Sequence, residues 1–454
     1  MEMGTTIGSE KIAALFDSGT FVETGAYVKR ANGDLTGVVC GYGAIGGKLV
    51  YAFAQDSDRK KGAFDALQAE KIAALYQMAM KNGAPVVGIF DSNGAVLADG
   101  AGVMSAYGKL LKAVSDASGV IPQIAVIDGV CAGMAATVAA MFDLVITVKG
   151  QSKLFVNAPF LIGKETGSAE YAAHTGLSSV VVGSSAEAGA KVAELIALLP
   201  SNNEEGVVAE DVRDDINRAA LVEDLTGAEL VRALSDVGHF VEFGSEYATE
   251  MVTGLAVFGG VTCGIVANNG AVNGGTITCD GAKKAAKLIG FCDSFSIPVV
   301  TLTDSTGLEL GSAAEGTPFA AQLGKLAMAY ASADTAMITV VTGKAYGAAF
   351  TLMGSKALGA DMVLALPESE ISVMAPDAAV AFLWNDRISE KISRAALEEE
   401  WKAKNATPVA AAADGSIDDV VDAAELRQRI CAAVYMLMMK NGAAPARKHC
   451  NLPL

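Results

Sequence analysis

The sequence predicts an α/β chain made of two tandem domains of one fold. Two matches between its halves predict the duplication. "APVVGIFDSNGAVLADG" (84–100) matches "IPVVTLTDSTGLELGSAAEG" (297–316), with Pro85, Asp91, Ser92 and Gly94 falling on Pro298, Asp304, Ser305 and Gly307 at an offset of 213. "IAVIDGVCAGMAATVAAMFDLVIT" (124–147) matches "ITVVTGKAYGAAFTLMGSKALGADMVLA" (338–365), with Gly129 on Gly343 and Gly133 on Gly347 at an offset of 214. The third observation is alternation. Each half alternates β-rich runs with helical patterns, which means parallel sheet, crossover helices and sites at the C-terminal ends of strands.

The elements follow in order. "GSEKIAALFDSGTFVETG" (8–25) and "TGAELVRALSDVGHFVEFG" (226–244) each read as a capped amphipathic helix and a turn, so even the domain entrances repeat. "AEKIAALYQMAMK" reads as an amphipathic helix that stops at Asn82-Gly83. Residues 121–148 contain only Asp128 and Asp143 as charges and are apolar enough to pass for a membrane span. Pro122, Gly129 and Gly133 punctuate them, however, and two β-rich runs flank an Ala-rich segment, so they read as a buried strand–turn–helix–strand. The acid-rich stretch 200–226 is the expected seam, with domains at 1–212 and 213–454.

Composition narrows the function. The chain has 454 residues, a net charge of −17 and only 19% charged residues, which excludes a disordered chain and argues against nucleic-acid binding. Seven cysteines without a CxxC pair exclude a zinc ribbon and fit reduced thiols in a cytosol, so a cytoplasmic location is expected. "MEMGTTIGSEKIAALFDSG" has no basic region followed by an apolar one, so no secretory signal is expected. His174, His239 and His449 are too scattered for a metal site. "TGKA" (342–345) lacks the leading Gly and the Ser/Thr of a P-loop.

The duplicated turns offer almost no polar side chains. In "GVCAGMAATVAAMF" (129–142) Cys131 is the only reactive group. Backbone N–H groups at a Gly turn opening a helix can still hold a carbonyl oxygen and stabilise the oxyanion it becomes, which suits thioester chemistry. The alternative is that the glycines only allow tight packing. Two equivalent turns in one chain suggest two carbonyl substrates.

Taken together, "KIAALFDSGTFVE", "GYGAIGGKLVYAFAQD", "NGAPVVGIFDSNGA", "ASGVIPQIAVIDGVCAG" and "LPSNN" resemble one half of a known family. "GIVANN", "FCDSFSIPVVTLTDSTG", "GKAYGAAFTLMGSKALGAD", "GSIDDVVDAAELRQRI" and "RKHCNLPL" resemble the other. The family is that of the carboxyltransferase subunits of biotin-dependent acyl-CoA carboxylases and decarboxylases. The resemblance implies two crotonase-like (ClpP/crotonase) domains. It implies a carboxyl group moving between carboxybiotin, borne by a separate biotin carboxyl carrier protein, and an acyl-CoA. The amides of Gly133 and Met134 would hold the thioester carbonyl, and those of Ala348 and Ala349 the ureido carbonyl of biotin, whose nitrogen can serve as the base. Gly347, Phe350, Thr351, Gly94 and Ala95 are the implied cofactor-binding positions. A biotin carboxylase or membrane decarboxylase subunits are the further partners implied, and the facing turns come from different subunits, so a dimer or hexamer is expected.

This sequence departs from the family at several places. The loop after "QD" reads "SDRKKGAF" (57–64) instead of a glycine loop near CoA, so its bases contact CoA phosphates or form a solvated run. Val96 replaces an arginine, Met134 a glycine, and Thr351 an acidic residue that shapes acyl choice. Residues 157–185, which line the acyl pocket, look shortened; His174 among them reads as a structural histidine, with a ligand role as the alternative. "AMKN" (79–82) is similar to a biotin-acceptor motif, but Lys81 ends a helix where an acceptor lysine sits on a hairpin tip. Two other functions stay open: a non-catalytic scaffold subunit paired with an active paralogue, and a stand-alone crotonase-type decarboxylase.

Overall fold

The computed structural model describes residues 6–30, 33–163, 166–209, 211–440 and 453. His449, Cys450 and most of the "RKHCNLPL" segment lie outside the described residues. The chain divides into two compact units, Met1–Gly206 and Val207–Leu454. Ala220 and Val222, from the acid-rich stretch, are buried in the core of the second unit.

The first unit holds β1 (Val22–Thr24), β2 (Val38–Ile45), β3 (Lys48–Gln55), β4 (Val86–Ser92), β5 (Gln123–Ala132), β6 (Leu144–Val148), β7 (Lys153–Phe155) and β8 (Val180–Val182). The second holds β9 (Phe240–Phe243), β10 (Met251–Phe258), β11 (Val261–Asn268), β12 (Val299–Ser305), β13 (Met337–Tyr346), β14 (Met362–Ala365), β15 (Glu370–Ser372) and β16 (Asp419–Val420). The sheet orders are β1-β2-β3-β4-β5-β6-β8, with β7 on β5, and β9-β10-β11-β12-β13-β14-β16, with β15 on β13. In both, an antiparallel meander of three strands leads into parallel pairs.

The duplication extends to register. Tyr51 pairs with Val86 as Gly264 pairs with Val299, the same positions displaced by 213. Past Phe90 the ladder slips, so that Ser92 pairs with Cys131; past Thr303 it slips again, and Ser305 pairs with Ala345. The hairpin turns repeat as well. Gly46–Gly47 (φ 56° and 79°) and Gly259–Gly260 (φ 58° and 81°) have positive φ at both central positions, as a two-residue hairpin with the native twist requires. The Asp17 carboxylate accepts both N–H groups of the first turn at 3.1 and 2.9 Å, and Asp236 those of the second at 2.9 and 2.7 Å.

Helices cover the sheets through apolar faces at helical spacing. Ile72, Leu75 and Ala79 of Ala66–Asn82 are buried, with Val103, Ala106, Leu110 and Val114 of Ala101–Ala117. The first helix starts where the Asp65 side chain accepts from the Gln68 amide and stops at Gly83 in the left-handed region, so Lys81 lies on a helix. Residues 121–148 form β5, the short helix Met134–Ala140 and β6. Among the described residues, no helix is long and apolar enough to cross a membrane.

Candidate active site

Each parallel ladder ends its fifth strand in the same turn. Gly133 has φ 63° and ψ −126°, and Gly347 φ 57° and ψ −130°, a conformation closed to side-chain-bearing L-residues. A helix opens behind each: Met134–Ala140 and Ala348–Leu352. Met134 and Ala348, the first residues of these helices, are both exposed. First-turn amides have no carbonyl within their own helix to bond.

The two glycines themselves are committed elsewhere. Gly133 donates its N–H to the Phe155 carbonyl at 2.8 Å, and Gly347 to that of Ser372 at 2.8 Å. These bonds tie each turn to a short strand, β7 or β15. They correct the donor pair inferred for the first turn, because the Gly133 amide is used by the sheet. Met134, by contrast, is placed like Ala348.

In each unit a second loop follows the strand that pairs with the one ending in the turn. Phe64 bridges Ala95 in parallel, with Phe64 donating to Gly94 and Val96 donating to Phe64, both at 2.8 Å. In such a pairing the flanking groups face the partner, so the N–H of Ala95 itself faces the opposite side. Ile277 bridges Leu308 in the same way, through Gly307 and Glu309. Gly94 also donates to Ser92 Oγ at 3.2 Å, which closes the loop.

Beneath the turns sit carboxylates. Asp91 Oδ1 accepts from the Val130 amide at 3.3 Å, and Asp304 Oδ1 from the Lys344 amide at 2.9 Å. A Cβ on Gly129 would lie 2.1 Å from Asp91 Oδ1, and one on Gly343 2.2 Å from Asp304 Oδ1, so only glycine fits beside each carboxylate. In the first unit Lys11 Nζ reaches both Asp91 and Asp128 at 3.0 Å and the Asp128 carbonyl at 2.6 Å. Burial works to lower the pKa of Lys11, yet the two carboxylates outweigh it and hold the group above its ordinary value. Sequence reading missed Lys11. It lies 80 residues from Asp91 and sits on a helix at the domain entrance, so no local pattern marks it.

Cys131 is fully buried and burial pushes its thiol up, so it supplies no thiolate nucleophile. All six described cysteines are free and buried. His174 is the last residue of the helix Ala169–His174. In the second unit, Gly347, Phe350 and Thr351 come together on a cavity of about 600 Å³, whose wall also includes Ser372, Trp401 and Lys404. The Trp401 indole N–H donates to Ser372 Oγ at 3.2 Å and so fixes that wall.

Residues 1–452 match the carboxyl transferase domain. The chain belongs to the carboxyl transferase family. It is 35% identical to the propionyl-CoA carboxylase beta chain of Saccharopolyspora erythraea, over 99% of this chain and 91% of that one. It is equally 35% identical to the methylmalonyl-CoA decarboxylase subunit alpha of Veillonella parvula, over 99% of this chain and 94% of that one. Among solved structures, transcarboxylase 12S, a hexamer crystallised with methylmalonyl-CoA and methylmalonic acid bound, superposes with a TM-score of 0.93. That match has 33% identity and covers 98% of this chain and 92% of the other. As a carboxyl transferase, the chain carries the crotonase-like fold with two similar domains expected from its sequence.

Proposed function

We propose that this carboxyl transferase moves a carboxyl group between carboxybiotin on a carrier protein and an acyl-CoA. The observation that supports it is the duplicated turn: two equivalent backbone sites, each at the C-terminal edge of a parallel sheet, suit one substrate carbonyl each. In this reading the N–H groups of Met134 and Ala95 hold the thioester carbonyl, and those of Ala348 and Ala349 the ureido carbonyl of biotin. Gly347, Phe350 and Thr351 flank the second carbonyl, and Gly94 shapes the first. Donors fixed in the fold need no reorganisation as negative charge develops on oxygen, and losing one costs a factor of about 10²–10³.

The partners in this reading are a biotin carboxyl carrier protein and either a biotin carboxylase or membrane decarboxylase subunits, with the work done in the cytoplasm. Methylmalonyl-CoA, bound in transcarboxylase 12S, is the first thioester to test. A hexamer built from dimers is the proposed assembly. Both units expose large apolar side chains, Leu97, Val156 and Phe160 in the first and Leu310, Val373 and Phe382 in the second, a pattern that favours burial against another copy. The proposed domain limits are 1–212 for the thioester side and 213–454 for the biotin side.

The test is carboxyl exchange between methylmalonyl-CoA and a free biotin analogue, catalysed by the purified chain. Biotin-dependent exchange is expected. Decarboxylation that ignores biotin would replace this reading with a stand-alone decarboxylase. No turnover of any short acyl-CoA would favour the scaffold subunit, the reading that Met134, Val96 and Thr351 support, since each departs from the family at the site.

A further inference from the structure

The loop after β3 holds two lysines in a conformation that lysine avoids. Lys60 and Lys61 have φ 51° and 53°, in the left-handed region. The equivalent loop after β11 has Asn273 and Gly274 there, at φ 48° and 62°, residue types that tolerate it. Packing demands this shape in both units. The glycine that follows, Gly62 or Gly275, sits so close to the strand beyond that a Cβ would lie 2.0 Å from the carbonyl oxygen of Asp91 or Asp304. The Lys61 carbonyl accepts from the Asn93 amide at 3.2 Å, and that of Gly274 from Thr306 at 3.0 Å. The fold therefore fixes the backbone, and the first unit alone places two cations on it.

Among the described residues, those cations have nothing to neutralise them. Arg59 is held by Asp56 at 3.2 Å and by the Thr36 carbonyl at 3.1 Å. Asp58 accepts from the Ile7 amide at 2.9 Å. Lys60 and Lys61 are exposed, and neither ammonium makes an ion pair or hydrogen bond among the described residues. Two unpaired lysines held in strained backbone, in a chain of net charge −17, mark a site for an anion. Their loop touches Asn93, next to Ser92, which pairs with Cys131 two residues before the Gly133 turn.

We infer that Lys60 and Lys61 bind the phosphates of the CoA moiety while its thioester lies at the Met134 turn. This rests on the proposed thioester site but not on the carboxyl transfer itself. The phosphates concerned are the 3′-phosphate or the pyrophosphate of CoA, and Asn–Gly in the second unit leaves that unit without the site.

The test is the double variant Lys60→Asn, Lys61→Gly, which installs the second unit's residues in the first. Calorimetry with CoA, dephospho-CoA and a pantetheine thioester reads binding without requiring turnover. CoA should bind the variant about tenfold or more weakly than the wild type, as the loss of one or two charge-assisted phosphate contacts implies. Dephospho-CoA erases the difference between the proteins if the 3′-phosphate is the ligand and preserves it if the pyrophosphate is. The pantetheine thioester should bind both proteins alike. The melting temperature should hold or rise, because Asn and Gly relieve the strained positions. Equal CoA affinity in the two proteins, or a fall in melting temperature that accounts for weaker binding, overturns the inference. Wild-type protein that binds no CoA overturns it together with the thioester site. Lysine-dependent CoA binding without carboxyl exchange would leave it standing and reject the reaction instead.

Discussion

The Gly133 and Gly347 turns have almost the same backbone but different support. The first rests on charges: Asp91 and Asp128 are joined by Lys11. In the second, Asp304 keeps its bond to the strand, but Thr342 stands where Asp128 is and Leu230 where Lys11 is. The reverse holds at the hairpins. Asp17 is exposed, whereas Asp236 is buried beside a fully buried Arg427, which donates to it and ties the C-terminal helix Leu426–Leu437 to the turn. The duplication thus kept its backbone devices in both units and moved its buried ion pairs. Backbone geometry repeats because the fold requires it; buried charges are retained only where a partner exists to hold them.

Four sets of substitutions break or sharpen this comparison. Ala348→Pro and Met134→Pro remove one N–H each at equivalent positions, and each should abolish exchange, by at least about 10²–10³, with thermal melting checked because proline also disturbs folding. Unequal effects would show that only one turn works through its backbone. Next in size, Asp236→Ala strands the buried Arg427 and should cost about 3–5 kcal/mol in a denaturant melt, against about 1 kcal/mol for Asp17→Ala at the exposed hairpin. Lys11→Met removes the cation that joins Asp91 and Asp128, and exchange should fall by about tenfold. Leu230→Met, its counterpart, should leave exchange unchanged. The smallest effect is that of Met134→Gly, which should preserve or raise exchange by up to a few-fold, since it removes an exposed side chain from the first turn and keeps the amide. If Met134→Gly instead leaves exchange undetectable, Met134 is one lesion among several and the scaffold reading gains.

Much of this was legible in the sequence. The offset of 213–214 identified the duplication and both glycine turns, because Gly is required where φ is positive and repeats where the fold repeats. The apolar run 121–148 resolved into strand, turn and helix, because punctuation by Gly and Pro is local information. Local patterns also placed Lys81 on a helix and not on a hairpin tip.

Other features belong to the tertiary structure alone. That the Gly133 amide is taken by the Phe155 carbonyl depends on where β7 docks on β5. That Lys11 joins Asp91 and Asp128 depends on packing a helix at residues 7–13 beneath strands about eighty and more residues later. The left-handed backbone of Lys60 and Lys61 runs against the preference of lysine and is imposed by the close approach of Gly62 to β4. The sequence alone determined the repeat, the elements and the turns, since these follow from spacing and residue type. Partner choice for N–H groups and charges was decided by the fold, because a hydrogen bond goes to whichever acceptor packing brings within about 3 Å, at any distance along the chain.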